Sequence, residues 1–131
     1  MSPAMFFTHP VTAASRGLMD WNFTKMRDAG AHITIGSDWG AAPDPSLFGP
    51  CADIVDIVGQ GSKEKGGELL VKMLTIHGAE AVGREKEFGS IEVGKKANFI
   101  VVDKDLSKGE FGDARVLRTY FEGEEVWNSE T

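Results

Sequence analysis

The sequence contains a single cysteine, Cys51, and it lacks both a long apolar run and a cluster of basic residues. One cysteine excludes an internal disulfide and every multi-cysteine metal site, which favours a reducing compartment and predicts a cytoplasmic location. The net charge of −6 argues against nucleic acid or an anionic membrane as a partner. No stretch is long enough to span a bilayer, and the opening residues do not resemble a signal peptide.

A candidate catalytic group follows the first predicted strand. A length of 131 residues allows one domain with a modest core. A helix is predicted from Ser15 to Ala29, followed by a short strand over Ile33–Ile35. Asp38 is the first ionisable residue after that strand, and catalytic groups of parallel α/β folds lie at the carboxyl ends of strands. Spacing alone favours the other interpretation, in which Asp38 only hydrogen-bonds backbone N–H groups of its own turn.

A proline- and glycine-rich stretch, residues 39–50, predicts a long loop without regular structure. Trp39 and Phe48 in this loop could wall a substrate pocket or pack the loop onto its scaffold, and the sequence favours neither. A short helix is predicted over residues 53–58, and residues 59–67 predict a solvent-facing turn.

The strongest helical pattern covers residues 68–76 and is predicted to break near Gly78, before a further turn of helix that ends at Gly83. His77 lies at the predicted break, where a histidine is more often a capping group than a metal ligand. The helix presents one apolar stripe, formed by Leu69, Leu70, Met73 and Leu74.

From Gly89 onward the apolar residues alternate as they do in strands. The predicted elements are a strand with Ile91 and Val93, a buried strand over Phe99–Val102, and a hairpin of two strands joined around Gly123. The hairpin strands are predicted at Val116–Phe121 and Glu125–Trp127.

Four segments in this order resemble the C-terminal part of a metal-dependent amidohydrolase. They are Gly36-Ser37-Asp38, then residues 74–83 (LTIHGAEAVG), residues 89–103 (GSIEVGKKANFIVVD) and residues 120–127 (YFEGEEVW). Within that superfamily the chain most resembles the amidohydrolase-3 group, which includes formamide-deformylase-like members. Each segment alone is weak evidence, whereas their order and spacing make the combination specific.

The resemblance implies an α/β chain that is the C-terminal fragment of a (β/α)₈ barrel, followed by the C-terminal strands of a small β-sandwich. Residues 1–88 would supply the final barrel strand, an active-site loop and the final helix. Residues 89–131 would supply the sandwich strands.

The resemblance also implies a divalent metal, typically zinc, in the complete enzyme, with Asp38 matching the family's metal-proximal aspartate. In such sites the metal lowers the pKa of bound water, and the aspartate takes the water's proton and passes it to the leaving nitrogen. The sequence has no HxH pair, and His9, His32 and His77 do not fall at the family's ligand positions. One aspartate cannot hold zinc alone, so this chain is expected to bind no metal and to be inactive by itself.

The expected function is hydrolysis of a non-peptide carbon–nitrogen bond in a small amide or formamide-like molecule. The expected macromolecular partner is a second copy of the chain or the remainder of the enzyme. The alternative is a non-catalytic binding or assembly module, in which Gly36-Ser37-Asp38 is a turn and the C-terminal strands contact a partner.

Overall fold

The computed structural model describes residues 23–36 and 47–130 of the chain. Asp38 and Trp39 lie outside these residues, as does most of the predicted helix from Ser15 to Ala29. The described helices are α1 (Phe23–Asp28), α2 (Phe48–Val58), α3 (Lys63–Leu74) and α4 (Ile76–Ala81). The strands are β1 (Phe99–Val102), β2 (Val116–Phe121) and β3 (Glu124–Asn128), with the 3₁₀ turn η1 (Leu106–Lys108) between the first two.

The core lies between α2 and α3, because each helix turns its apolar face to the other. The predicted stripe of α3 is confirmed: Leu70 and Met73 are fully buried, and Leu69 and Leu74 pack against them. The remaining buried members are Cys51, Ile54, Val55, Val58 and Phe111. Phe111 follows η1, so the chain returns from β1 to the helices before it enters β2.

The start of α2 corrects the predicted loop over residues 39–50. The helix begins at Phe48 and contains Pro50, and the predicted helix at residues 53–58 is therefore only its second half. Proline is compatible with this position, because backbone N–H groups in the first turn of a helix have no carbonyl partner within the helix. The N–H that proline lacks would therefore make no helical hydrogen bond.

The turn predicted over residues 59–67 is also wrong in its second half, since α3 begins at Lys63. Ser62 caps this helix, and its Oγ accepts a hydrogen bond of 3.3 Å from the Lys65 N–H. Gly66 and Gly67 are buried and let neighbouring backbone approach α3 closely. A Cβ at Gly66 would collide with the Val55 carbonyl.

The predicted helix break near Gly78 lies one turn too late. The two helices part at Thr75, whose backbone leaves the helical region and whose Oγ1 donates to the Val71 carbonyl at 2.6 Å. His77 therefore lies in the first turn of α4 rather than at the break.

The three strands form one antiparallel sheet in the order β1-β2-β3, as the sequence predicted for their positions. Phe99 pairs with Tyr120, and their rings stack with centroids 4.6 Å apart. Glu122 and Gly123, with φ of 50° and 88°, make the two-residue hairpin turn between β2 and β3.

Two strand predictions fail in the described residues. Ile91 and Val93 are exposed and belong to no strand, and Val93 lies in a turn together with Gly94. The segment Ala31–Gly36, which contains the predicted strand Ile33–Ile35, pairs with no strand in the described part of the chain. A strand is defined by ladder hydrogen bonds to a neighbour, and the described residues supply none here.

The sequence predicts a buried β1, and the structure shows otherwise for the described residues. Ile100 and Val101 are 46% and 38% exposed. Apolar side chains of the hairpin are exposed as well, among them Phe121, Val126 and Trp127. Among the described helices, none is long and apolar enough to cross a membrane.

Candidate functional site

The two predicted site residues Asp38 and Trp39 lie outside the described residues, so the structure assigns them no contacts. Their flanking segments are described. On the N-terminal side, Ile33 and Ile35 pack against the helical core. On the C-terminal side, Leu47 also packs against that core, immediately before α2. The chain is therefore anchored to the same core on both sides of the candidate aspartate.

Phe48, the third predicted site residue, opens α2 and is partly buried. Its ring meets Phe111 edge-on, with centroids 6.3 Å apart and an interplanar angle of 61°. It also lines an apolar groove of about 500 Å³ that runs to Leu74, Ile100 and Leu106. The structure thus shows Phe48 both packing its helix onto the core and facing a groove.

Two histidines that are far apart in sequence meet in the structure. The Nε2 atom of His32 lies 3.0 Å from the His77 carbonyl oxygen and 3.4 Å from Oε2 of Glu80. The two imidazole centroids are 4.9 Å apart, with the rings tilted by 50°. Both neighbours of the His32 Nε2 are acceptors, so we assign the hydrogen to this nitrogen, which then donates to the carbonyl.

His77 is not the satisfied capping group that its predicted position favoured. Its Nδ1 atom is buried and has no hydrogen-bond partner among the described residues. Both rings line a cavity of about 60 Å³, which Ile33, Val58 and Met73 also enclose. A cavity of this size has room for one or two water molecules.

The described residues do not fit a metal site. No group of three or more histidine, cysteine, aspartate or glutamate side chains in residues 23–36 and 47–130 is arranged to hold an ion. Cys51 is fully buried in the core, and this burial raises its pKa to about 12, so the thiol stays protonated at neutral pH. The described part of the chain therefore supplies neither a metal centre nor an activated thiolate.

The sequence model of the Amidohydrolase family matches residues 20–126, which is most of the chain. The chain belongs to the Amidohydrolase family. The expectation drawn from its four sequence segments is thereby confirmed at the level of the family.

Curated relatives agree with this assignment. The chain is 33% identical over 113 residues to an N-substituted formamide deformylase of Arthrobacter pascens, covering 75% of this chain and 20% of the relative. It is 36% identical over 93 residues to an imidazolonepropionase of Parabacteroides distasonis, covering 71% of this chain and 22% of the relative. The chain thus spans about a fifth of the length of these relatives.

Solved structures show the same fold. An amidohydrolase from Thermotoga maritima superposes with a TM-score of 0.64 at 28% identity, over 81% of this chain and 25% of that one. A guanine deaminase of E. coli gives a TM-score of 0.64 at 17% identity, over 91% of this chain and 33% of that one. At 17% identity this second likeness concerns the fold alone.

Sequence reasoning missed the contact between His32 and His77. The two residues are 45 positions apart, and neither belongs to a local motif that pairs them. In a single sequence the only signal is that both histidines adjoin apolar segments that must pack together. That signal indicates proximity of the segments and not a hydrogen bond.

Proposed function

We propose that the chain is the C-terminal segment of an enzyme that hydrolyses a non-peptide carbon–nitrogen bond in a small amide or formamide-like substrate. The observation that carries this proposal is the family match over residues 20–126. The formamide deformylase and imidazolonepropionase relatives support carbon–nitrogen bonds as the substrate class. By this proposal the protein is cytoplasmic, and the isolated chain is inactive.

Within the complete enzyme, Asp38 is proposed as the general acid/base. A carboxylate can take a proton from the attacking water and return it to the departing nitrogen, which leaves as a neutral amine rather than as an unstable anion. Ile35 and Leu47, the described residues on either side of Asp38 in sequence, both pack against the helical core. Trp39 and Phe48 are proposed to line the substrate loop.

We propose metal dependence for the complete enzyme from its family membership alone, because the described residues do not fit an ion. If the enzyme holds a divalent metal, zinc being the expected one, most of its ligands have to come from outside residues 23–36 and 47–130.

For architecture, we propose that residues 1–88 form the last part of a (β/α)₈ barrel and residues 89–131 the C-terminal strands of a β-sandwich. The exposed apolar side chains of the β1-β2-β3 sheet support this, since such a surface is normally covered in a complete protein. The covering partner is either the remainder of the enzyme or a second copy of the chain.

The experiment is to express the full-length protein that contains this segment and to assay it against N-substituted formamides and simple amides. Release of the amine, measured by a colorimetric amine assay, is expected from the full-length protein and not from the 131-residue chain. Absence of turnover on the whole panel by a folded full-length protein would favour the non-catalytic module.

A further inference from the structure

The segment Ala31–Gly36 is held by two kinds of contact. Its N–H at Ala31 donates to the Met26 carbonyl at 2.9 Å, at the end of α1. Ile33 and Ile35 pack against the core of α2 and α3. Apolar packing of this kind favours burial but is not directional, so it does not by itself fix how far the segment extends along the helices.

His32 adds a directional contact at the start of this segment. Its Nε2–H donates to the His77 carbonyl at 3.0 Å, in the first turn of α4. The Glu80 carboxylate lies 3.4 Å from the same nitrogen and favours this orientation of the ring. Because a hydrogen bond weakens steeply with distance and angle, the bond resists sliding of the segment against α4.

We propose that His32 is a positioning residue, whose hydrogen bond to the His77 carbonyl holds Ala31–Gly36 at one position along α4. The bond thereby sets the position of Gly36, the last residue of this segment. The inference rests on the proposed function, in which Asp38 acts two residues after Gly36. His32 lies at the opposite end of the segment from Asp38 in sequence. Its contribution is geometric.

Three variants separate this role from simple packing. His32→Leu keeps the bulk of the side chain and loses the donor. His32→Gln keeps an N–H donor of similar reach. Glu80→Gln is the matched control, because it removes the neighbouring charge and leaves both the His32 donor and the His77 carbonyl in place.

The first measurement uses backbone ¹⁵N relaxation in the 131-residue chain carrying Val126→Glu, which removes apolar surface from the exposed sheet and is expected to keep the chain monomeric. In His32→Leu, order parameters of Ile33–Gly36 are expected to fall from about 0.85 to about 0.6 or lower, with those of α3 unchanged. His32→Gln and Glu80→Gln should retain values near those of the parent chain. Equal order parameters in the Leu and Gln variants of His32, or an equal fall throughout α3, would overturn the proposal.

The second measurement uses the full-length enzyme. His32→Leu is expected to lower kcat about tenfold with KM little changed, because a small displacement of a catalytic group slows turnover more than binding. His32→Gln should restore kcat. Asp38→Asn is assayed beside these variants. Full activity of Asp38→Asn would reject the proposed function. Loss of activity in Asp38→Asn together with full activity in His32→Leu would reject only the role of His32.

Discussion

The backbone of α3 at Gly66 lies directly against the carbonyl of Val55 in α2, so closely that no Cβ fits between them. This contact brings the two helices together at the edge of the core that contains Leu70 and Met73. Gly66, which the local sequence pattern assigns to a turn, thus lies at the contact between two helices.

Gly66→Ala should destabilise the chain by about 2 kcal/mol, because the added methyl group forces the helix backbones apart. The matched control is Gly78→Ala in α4, where the nearest atom that a Cβ would meet is the Met73 carbonyl oxygen at 4.0 Å. That variant should be neutral or slightly stabilising, since alanine favours helix. Urea unfolding followed by circular dichroism measures both, and equal stability of the two variants would contradict the packing described here.

Burial of Cys51 predicts a pH dependence at the alkaline end. Its pKa is raised to about 12 in the folded chain from an ordinary value of 9.0, so above pH 9 the unfolded chain releases a proton that the folded chain retains. The Cys51 thiol makes its full contribution to the free energy of unfolding below pH 9, and this contribution declines as the pH rises above 9. Cys51→Ser, which does not titrate in this range, should reduce the slope of stability against pH between about 9 and 11.

Reactivity of the same thiol gives an independent check. In the folded chain at pH 8, a disulfide reagent such as DTNB should label Cys51 at least about a hundredfold more slowly than in guanidinium chloride. Rapid labelling of the folded chain would contradict burial of this side chain.

Metal binding by the isolated chain should be weak. The described residues form no cluster of three or more ligands, and Asp38 alone cannot hold zinc. Equilibrium dialysis of the 131-residue chain should show no stoichiometric site at sub-micromolar zinc. A one-to-one site in that range would mean that the chain carries its own ligand set, contrary to the proposal.

The exposed sheet predicts self-association of the isolated chain. Burial stabilises by about 25 cal/mol per Å² of apolar surface, so covering Val126, Trp127 and Phe121 with a second copy is favourable. Light scattering at low micromolar concentration should show an oligomer, and Val126→Glu should shift it towards monomer. Val93→Glu is the control, because Val93 is fully exposed in a turn outside the sheet. A monodisperse monomer with a sharp, cooperative melt would contradict this expectation and favour the independent module.

The sequence predicts those parts of the fold that depend on local chemistry. The strand Phe99–Val102 and the hairpin at Gly123 occur where predicted, because β-branched residues and a glycine with positive φ act within a few positions of each other. The stripe containing Leu70 and Met73 is buried as predicted, because helical spacing alone places these residues on one face.

The sequence does not predict features that depend on the position of other elements. Gly66 resembles a turn glycine unless the position of α2 is known, and Pro50 resembles a loop proline unless the start of the helix is known. The hydrogen bond from His32 to His77 joins residues that only the tertiary fold brings together. The roles predicted for Asp38 as general acid/base and for Trp39 as a substrate-loop residue stay predictions, because both residues lie outside the described part of the chain.

The proposed role of Asp38 as general acid/base of a carbon–nitrogen hydrolase is decided by Asp38→Asn in the full-length enzyme. The amide keeps the shape of the side chain but cannot accept the proton, so kcat should fall by about 10²- to 10⁴-fold with little change in KM or melting temperature. Turnover close to that of the parent enzyme would show that Asp38 only stabilises its own turn.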